Sequence, residues 1–350
     1  MPISRPSLCN LNSIIAFLFI TTVIVPFMVM MGQSPAPSEE HTVYSTVTGY
    51  FLQDDEATDP KGFDFVNRSY PADADLSSNS KLTQWQRFAR EISRLNHDGS
   101  EKVTYKLLYL GRHGEGYHNL AETFYGTEAW DCYWSLQPGN STSTWSDALL
   151  TPAGEAQALV AHAFWAHLIT TQKIPFPETY YTSPLLRCLA TASLTFSHLD
   201  LPKDRPFIPT IKENIREVIG VHTCDRRSGK SVIKSKYPDW PFEDGFAEED
   251  PLWSAELRET DEAIDQRTLR AIEDIFSTDD HTYISLSTHS GQIASMLRVL
   301  NHRVFGLGTG QAIPVLVKAE KLPGPAPVKG DAPWMPVKTC SEPPPAAITV

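Results

Sequence analysis

Three apolar runs along the chain have the character of buried β-strands. They begin near residues 103, 178 and 282, and the first stops abruptly at Gly111. Continuous apolar runs are typical of strands covered on both faces, and each run here is followed by a segment with helical spacing. Repeated strand-to-helix units favour a parallel arrangement of the strands. The pattern therefore predicts an α/β fold, a three-layer αβα sandwich with a mostly parallel central sheet.

Helix signals lie before and between these strands. Apolar side chains recur at helical spacing over 83–95, which predicts an amphipathic helix packed on the core. A Thr-Pro pair opens a second helix over 151–167, because threonine caps a helix and proline fits its first turn. The pair Ser183-Pro184 gives the same signal and predicts the start of a third helix. A strand is also expected over 42–51.

Basic side chains follow the three predicted strands where each strand ends. Arg112 and His113 come directly after the first strand. Arg187 lies in the helix that follows the second strand, and His289 follows the third. Because ligands bind outside the carboxyl ends of parallel strands, we expect these side chains to share one site. Arginine offers a planar fork for an anion, and a neutral histidine can act as a nucleophile or carry a proton.

A carboxylate for the same site is offered by the segment 215–224. Glu217 lies there between Arg216 and an apolar pair. Partial burial of such a carboxyl favours its protonated form, so that it can donate a proton near neutral pH. Glu217 is therefore a candidate general acid, although Arg-Glu pairs are also common on exposed helices.

Three short motifs in these segments carry a wider resemblance. They are Arg-His-Gly-Glu at 112–115, Ser-Pro-Leu-Leu-Arg at 183–187 and Thr-His-Ser-Gly at 288–291. Through them the chain resembles the histidine phosphatase superfamily, also called phosphoglycerate-mutase-like, over residues 102–304. The finer resemblance is to a fungal and plant branch of phosphomutase-like proteins, through the segments 113–119, 216–228 and 250–262.

The resemblance implies a role for each matching residue. His113 would be the nucleophile and would form a phosphohistidine. Glu217 would protonate the leaving oxygen and then activate water, and His289 would complete the catalytic set. Two arginines and a second histidine could supply the electrostatic stabilisation that Mg²⁺ supplies in other phosphoryl-transfer enzymes. The phosphate would be held by side chains and one backbone N–H, from Arg112, Arg187, Asn119, His289 and Gly291.

Weaker candidates lie close to these motifs. For each of them, packing or an exposed turn is the alternative to a substrate contact. The candidate substrate contacts are Glu115, His118, Arg226 and Arg227, with His222 as a further one. An aromatic cluster in the insertion after the first motif could form a lid over the substrate, but packing of the loop is the favoured interpretation. Its members are Trp130, Tyr133, Trp134 and Trp145.

Composition and motifs narrow the partners of the site. The sequence has no H-E-x-x-H, no C-x-x-C, no acidic calcium loop and no G-x-x-x-x-G-K-[ST] loop. We therefore expect no metal and no cofactor, and a small phosphorylated molecule as substrate. The net charge of −12, with no basic stripe, argues against a nucleic-acid partner. The sequence leaves the oligomeric state open.

The N-terminal region predicts a membrane-associated protein. The stretch 14–31 is apolar apart from two threonines and follows Arg5, which favours placing the rest of the chain on the lumenal or extracellular side. An uncleaved single-pass signal anchor is the preferred interpretation, and a secreted protein after signal cleavage is the alternative. Two N-x-[ST] triplets, at Asn67 and Asn140, agree weakly with the secretory route.

Five cysteines do not form a recognisable disulfide framework. Cys132 and Cys224 could pair across the mouth of the site, but the sequence does not fix any pairing. The predicted organisation is an N-terminal flank (1–13), a signal anchor or signal peptide (14–31), a stalk (32–80), a histidine phosphatase domain (81–317) and a Pro-rich C-terminal tail (318–350).

The sequence thus favours a metal-independent phosphatase that hydrolyses phosphate monoesters or phosphoanhydrides through a phosphorylated His113. A phosphoglycerate-type mutase is the first alternative, since it shares the first half of the reaction. A catalytically silent module that binds a phosphorylated ligand or a protein is the second.

Overall fold

The computed structural model describes residues 39–61, 81–328 and 330–345. The predicted signal anchor at 14–31 lies outside the described residues, as does Asn67, and both stay predictions. Among the residues that are described, no helix is long and apolar enough to cross a membrane.

Eight strands are present in the described part of the chain. In chain order they are β1 (Glu40–Thr46), β2 (Val103–Arg112), β3 (Thr179–Thr182), β4 (Thr210–Ile211), β5 (Leu257–Glu259), β6 (Tyr283–Thr288), β7 (Ala312–Pro323) and β8 (Trp334–Pro336). Six of them form the central sheet, in the order β1-β7-β2-β6-β3-β4, and β5 pairs separately with β8. Strands β2, β6, β3 and β4 run parallel, which confirms the mostly parallel sheet. The antiparallel strands β7 and β1 were not predicted in this sheet.

Helices cover both faces of this sheet. They are α1 (Gln84–Asp98), α2 (Tyr117–Tyr125), α3 (Thr127–Cys132), α4 (Pro152–His167), α5 (Leu186–Phe196), α6 (Lys230–Lys236), α7 (Asp261–Thr278) and α8 (Ser290–Val299). Helix α4 packs on α5, and α7 packs on α8. The crossovers through α4 and α5 run one way across the sheet and the crossover through α7 runs back. Because such crossovers are right-handed, the two helix pairs lie on opposite faces.

Strand β2 lies at the centre of the core. Its residues Leu107, Leu108 and Leu110 are all buried, with at most 1% of each exposed. Neighbouring side chains of a strand point to opposite faces, so burial of Leu107 and Leu108 together requires a helix layer on each side. The apolar run that predicted a strand covered on both faces is thus explained by its position between the two helix pairs.

Two of the three predicted helix starts are confirmed. Thr83 caps α1 and Thr151 caps α4, and each hydroxyl accepts a backbone N–H from the first turn of its helix. The third is wrong, because α5 begins at Leu186 with Leu185 as its cap. The Ser183 hydroxyl accepts the N–H of Leu185 (3.4 Å), ahead of the first turn of α5, and also contacts a histidine of the site described below.

Both ends of the described chain contribute to sheets. Strand β1 lies within the predicted stalk, although it is shorter than the strand expected over 42–51. Strand β7 extends to Pro323, inside the predicted tail, and β8 lies wholly within that tail. The pairing of β1 with β7 joins the first segment to the central sheet, and the pairing of β8 with β5 joins the tail to the small second sheet.

A disulfide fixes the tail at a second point. Cys132, at the end of α3, is bonded to Cys340. The pairing of Cys132 with Cys224, which the sequence left open, is therefore not the one formed. Cys224 and Cys188 are free thiols and both are buried.

Thiol titration tests this pairing. Reduction should raise the number of reactive thiols in the denatured protein by two, because one bond joins Cys132 to Cys340. Cys340→Ser should abolish this difference, because it removes one cysteine and frees Cys132. Loss of the bond should lower the free energy of unfolding by about 2–5 kcal/mol, since the unfolded chain gains freedom. Five reactive thiols in the unreduced parent protein would contradict the assignment.

Candidate active site

The carboxyl ends of three parallel strands bring the candidate residues together. His113, Ser183 and His289 are the first residues beyond β2, β3 and β6. The backbone N–H of His113 donates to Thr288 O (3.0 Å), and that of Ser183 donates to Ser287 O (3.0 Å). The ring centroids of His113 and His289 are 5.1 Å apart. The predicted meeting of the strand ends at one site is thus what the structure shows.

His113 has the protonation state of a nucleophile. Its Nδ1 lies 2.7 Å from the carbonyl oxygen of Gly114, so Nδ1 carries the proton and Nε2 keeps its lone pair. The side chain is buried, and burial, followed by the charges of Arg187 and Arg112, lowers the pKa of His113 well below its usual value. The imidazole is therefore neutral at pH 7 with Nε2 available for attack.

The two predicted arginines hold buried donors that the protein itself does not use. Arg112 donates through Nη1 to Leu307 O (2.6 Å). Arg187 donates to Cys224 O (2.6 Å) and to Asp225 Oδ1 (2.9 Å). The Nε atoms of both arginines are buried without a hydrogen-bond partner within the described chain. Because an unpaired buried donor is costly, both groups fit a site that is completed by an anion.

Asp225 is a site residue that the sequence did not reveal. It is 3% exposed, and Arg187 beside it is fully buried. Burial opposes the charge of Asp225, but Arg187 and Arg258 outweigh it and hold its pKa below the usual value. The carboxylate therefore compensates the guanidinium and keeps Arg187 charged inside the protein. No local motif identifies Asp225, which follows Arg187 by 38 residues.

Asp147 positions the helix that carries Arg187. Its Oδ1 accepts the backbone N–H of Leu186 (2.9 Å), the first residue of α5, and its Oδ2 accepts that of Ser228 (2.8 Å). Asp147 has φ 42°, a left-handed conformation that is uncommon outside glycine. The carboxylate thus supplies the helix-capping contact that was expected from Ser183.

Glu217 is half-buried and is held against the start of α8. Its carboxylate accepts the N–H of Gly291 (3.2 Å) and that of Val218 (3.0 Å). A Cβ placed on Gly291 would lie 2.1 Å from Glu217 Oε1, so glycine is needed for this approach. The N–H of Gly291, predicted to bind phosphate, therefore holds the candidate acid instead.

Arg267, in helix α7, holds the loop that carries Glu217, and the sequence analysis did not identify this residue. This guanidinium donates to Arg216 O (3.0 Å) and Glu217 O (2.9 Å). It also donates two hydrogen bonds to the carboxylate of Glu259 (2.8 and 2.7 Å). The Oε2 atom of Glu259 in turn accepts the N–H of Ile219 (2.8 Å). Arg267 and Glu259 are both almost fully buried, so this ion pair fixes the backbone of the loop at three residues.

The same loop contains a strained turn. Val221 has φ 62°, and the N–H of His222 donates to Gly220 O (2.8 Å) across it. A tight turn with positive φ at a β-branched residue is rare and costs on the order of 1–3 kcal/mol. The contacts of Arg267 and Glu259 just before this turn hold the chain in a conformation that it would otherwise leave.

His289 is completely buried and pairs with other side chains of the site. Its Nε2 lies 2.8 Å from Ser183 Oγ and 3.3 Å from Cys188 Sγ. Burial, and then the charge of Arg187, lower the pKa of His289 well below its usual value. A neutral His289 therefore lies beside His113, and the Ser183 hydroxyl controls its orientation.

Of the weaker candidates, His118 is brought into the site. Its ring centroid is 5.4 Å from that of His113, and its buried Nδ1 has no hydrogen-bond partner among the described residues. Burial lowers the pKa of His118 well below its usual value, and Arg187 adds to the effect. Asn119 uses its Oδ1 to accept the N–H of Gly116 (3.0 Å), which leaves its NH₂ group as the one able to reach a phosphate.

The other weaker candidates have structural contacts. Glu115 accepts the hydroxyl of Thr151 (2.6 Å). Arg226 is exposed and lies over the ring of Trp253, 5.2 Å from its centroid. All five N–H donors of Arg227 are taken, one by Glu213 and four by backbone carbonyl groups. Arg227 therefore has no donor left for a substrate and stabilises the loop around it.

The aromatic insertion packs rather than projecting over the site. Trp145 is 0% exposed and Trp130 is 3% exposed. Trp134 stacks on Tyr125 with ring centroids 4.0 Å apart. These contacts confirm the packing interpretation for Trp130 and Trp145.

One group in the described chain has the spacing of metal ligands. Donor atoms of His222, Cys224 and Asp225 lie within 4.8 Å of one another. The Asp225 carboxylate is already paired with Arg187, and burial, followed by Asp225 itself, raises the pKa of the Cys224 thiol well above its usual value. These residues therefore favour the contact with the Arg187 guanidinium over the binding of a metal ion.

Comparisons with known proteins identify relatives of this chain. The family model described as histidine phosphatase superfamily (branch 1) matches residues 133–308, a range that includes Arg187, Glu217 and His289. "Probable phosphoglycerate mutase" of Arthroderma benhamiae is 51% identical over 284 residues, which are 79% of this chain and 84% of that protein.

Two further comparisons extend the range of similarity. "Phosphomutase-like protein 3" of Candida albicans is 38% identical and covers 70% of this chain and 75% of its own length. A crystal structure of phosphoglycerate mutase from Thermus thermophilus is 21% identical, with a TM-score of 0.33, and covers 59% of this chain and 91% of that one.

The buried histidines predict that acid destabilises the protein. Burial, with help from nearby arginines, lowers the pKa of four histidines, so the unfolded chain binds more protons than the folded one below pH 6.5. The free energy of unfolding should therefore fall as the pH drops from 6.5, by about 1.4 kcal/mol per pH unit for each histidine. These histidines are His113, His118, His222 and His289.

Denaturant unfolding between pH 7 and about pH 5.5 measures this slope. His118→Gln removes one titrating group and should reduce the slope by about a quarter. A free energy of unfolding that stays constant over this range would contradict the neutral, buried state of the four imidazoles.

Proposed function

Because the chain belongs to the histidine phosphatase superfamily, we propose that it is a metal-independent phosphatase that acts through a phosphorylated His113. Its substrates would be small phosphate monoesters or phosphoanhydrides. The observation that carries the proposal is the hydrogen bond that His113 Nδ1 donates to Gly114 O. Close to it are two arginines whose buried Nε–H groups have no hydrogen-bond partner among the described residues. This hydrogen bond leaves Nε2 of a neutral imidazole without a proton, close to the charges of Arg187 and Arg112.

The first step would transfer the phosphoryl group to His113. Nε2 forms a bond to phosphorus while the bond from phosphorus to the leaving oxygen breaks. Arg112 and Arg187 balance the charge of the equatorial oxygens with their free N–H groups. Glu217, in its protonated form, gives its proton to the leaving oxygen, so that an alcohol departs.

The second step would release inorganic phosphate. Glu217, now a carboxylate, takes a proton from water while the water oxygen attacks phosphorus. The bond from phosphorus to Nε2 breaks, and His113 returns to its neutral form. The hydrogen bond that Nδ1–H donates to Gly114 O is the same at the start and at the end of the cycle, so the tautomer does not have to change.

A phosphomutase is the second candidate, and the names of the fungal relatives favour it. The two reactions share the first step and differ in whether water or a substrate hydroxyl receives the phosphoryl group. Our preference for hydrolysis depends on the compartment. We propose that the catalytic domain lies on the lumenal or extracellular side of a membrane, anchored by the segment 14–31, whereas glycolytic intermediates are cytosolic. The Cys132–Cys340 bond supports this placement, because disulfides persist in oxidising compartments.

His113→Ala should abolish phosphate release from a panel of phosphomonoesters and nucleotides. We expect chelator-resistant turnover in the parent protein and a loss of at least ~10³-fold in the variant, because the nucleophile is gone. The exposed His97 provides a matched control, and His97→Ala should retain full activity. Turnover that survives His113→Ala would refute the phosphohistidine route. A phosphorylated product formed only in the presence of an added hydroxyl acceptor would instead support the mutase.

Glu217→Gln should slow poor leaving groups far more than good ones. We expect a loss of about 10²–10⁴-fold for alkyl phosphates and little change for p-nitrophenyl phosphate, whose leaving group needs no proton. Equal loss on both substrates would remove Glu217 from the role of acid.

Arg267→Met should also lower activity more for poor leaving groups than for good ones, but by a smaller factor than Glu217→Gln. The reason is that the substitution displaces the Glu217 backbone without removing the carboxyl group. In a Glu217→Gln background it should add little to the difference between leaving groups. The control is Arg270→Met, on the exposed face of the same helix. A loss from Arg267→Met that is equal for good and poor leaving groups would limit Arg267 to a role in stability.

A further inference from the structure

Asn140 lies on an exposed turn of the insertion between α3 and α4. Its Oδ1 accepts the backbone N–H of Thr142 (2.9 Å), the hydroxyl of Thr142 (2.9 Å) and the N–H of Ser143 (2.8 Å). The three residues from Asn140 to Thr142 form an N-x-T triplet. The amide and the hydroxyl that define such a triplet therefore lie side by side on the surface of the protein.

The amide nitrogen of Asn140 can carry a substituent without losing its internal contact. Nδ2 donates to the hydroxyl of Tyr125 at 2.9 Å. An unsubstituted amide has two N–H groups and an N-linked one keeps a single N–H, so the bond to Tyr125 can persist. The turn at Asn140 would thus tolerate a bulky group directed into solvent.

The disulfide gives independent information about the compartment. Cys132 and Cys340 are 208 residues apart, and their bond joins the same insertion to the C-terminal tail. Stable structural disulfides of this kind are rare in reducing compartments and common on the secretory route. Triplets of the N-x-[ST] type are modified on surface loops of secreted proteins.

We propose that Asn140 is an N-glycosylation site. The co-reactant is an oligosaccharide linked to a lipid diphosphate. The Asn140 Nδ2 atom forms a bond to the anomeric carbon, the bond from that carbon to the diphosphate oxygen breaks, and Nδ2 releases one proton. This modification is independent of the catalytic proposal, since Asn140 touches none of the site residues.

The position of the glycan suggests what it does. The insertion packs against the loop of the site through Thr223, whose hydroxyl donates to Gln137 O (2.6 Å). We expect the glycan to protect the insertion from proteolysis and to leave the catalytic rate unchanged.

The test uses the full chain expressed in a eukaryotic host, with Asn67→Gln introduced to remove the other triplet. Peptide-N-glycosidase should lower the apparent mass of this protein. Thr142→Ala should abolish the shift, whereas Thr142→Ser, which keeps a hydroxyl, should retain it. Phosphate release by the Thr142→Ala protein should match that of its parent.

Two results would overturn the proposal. Absence of a glycosidase shift while thiol titration shows the Cys132–Cys340 bond would mean that the turn escapes modification in an oxidising compartment. Absence of both the shift and the bond would overturn it together with the assigned compartment. Neither result tests the proposed role of His113, because that role is measured separately by phosphate release from the His113→Ala variant.

Discussion

The buried ion pair between Arg187 and Asp225 is the interaction on which the site depends. A guanidinium with no exposed surface is stable only beside a compensating carboxylate, and Asp225 supplies it. The charge kept in place by this pair acts on His113, His118 and His289, and after burial it is a cause of the lowered pKa of each. The neutral imidazole of His113 and the positive charge beside it thus come from the same arrangement.

Sequence analysis located the strand ends because their chemistry is local. The central strand is apolar on both faces and its apolar run stops at Gly111, so the basic residues that follow were expected at the edge of the sheet. His113, Arg112 and His289 could be placed by this argument. Arg187 could be placed by its position at the start of the next helix.

The supporting residues could not be found in the same way. Asp225, Asp147 and Arg267 act on partners outside their own segments, and a single acidic or basic residue gives no sign of its partner. Ser183 was misassigned because a serine before proline resembles a helix cap, whereas a more distant aspartate caps that helix. The antiparallel strand β7 and the pairing of β1 with it were missed for a related reason, since the register of each strand depends on the strand beside it.

The pairing of β8 with β5 changes where the catalytic domain ends. The family match stops at residue 308, but β7 lies beyond it and occupies a position between β1 and β2 in the sheet. Farther on, β8 borders the strand that contains Glu259, the partner of Arg267, and Cys340 closes the tail onto α3. A shortened gene designed from the family match would therefore encode a fold without β7, without β8 and without the Cys132–Cys340 bond.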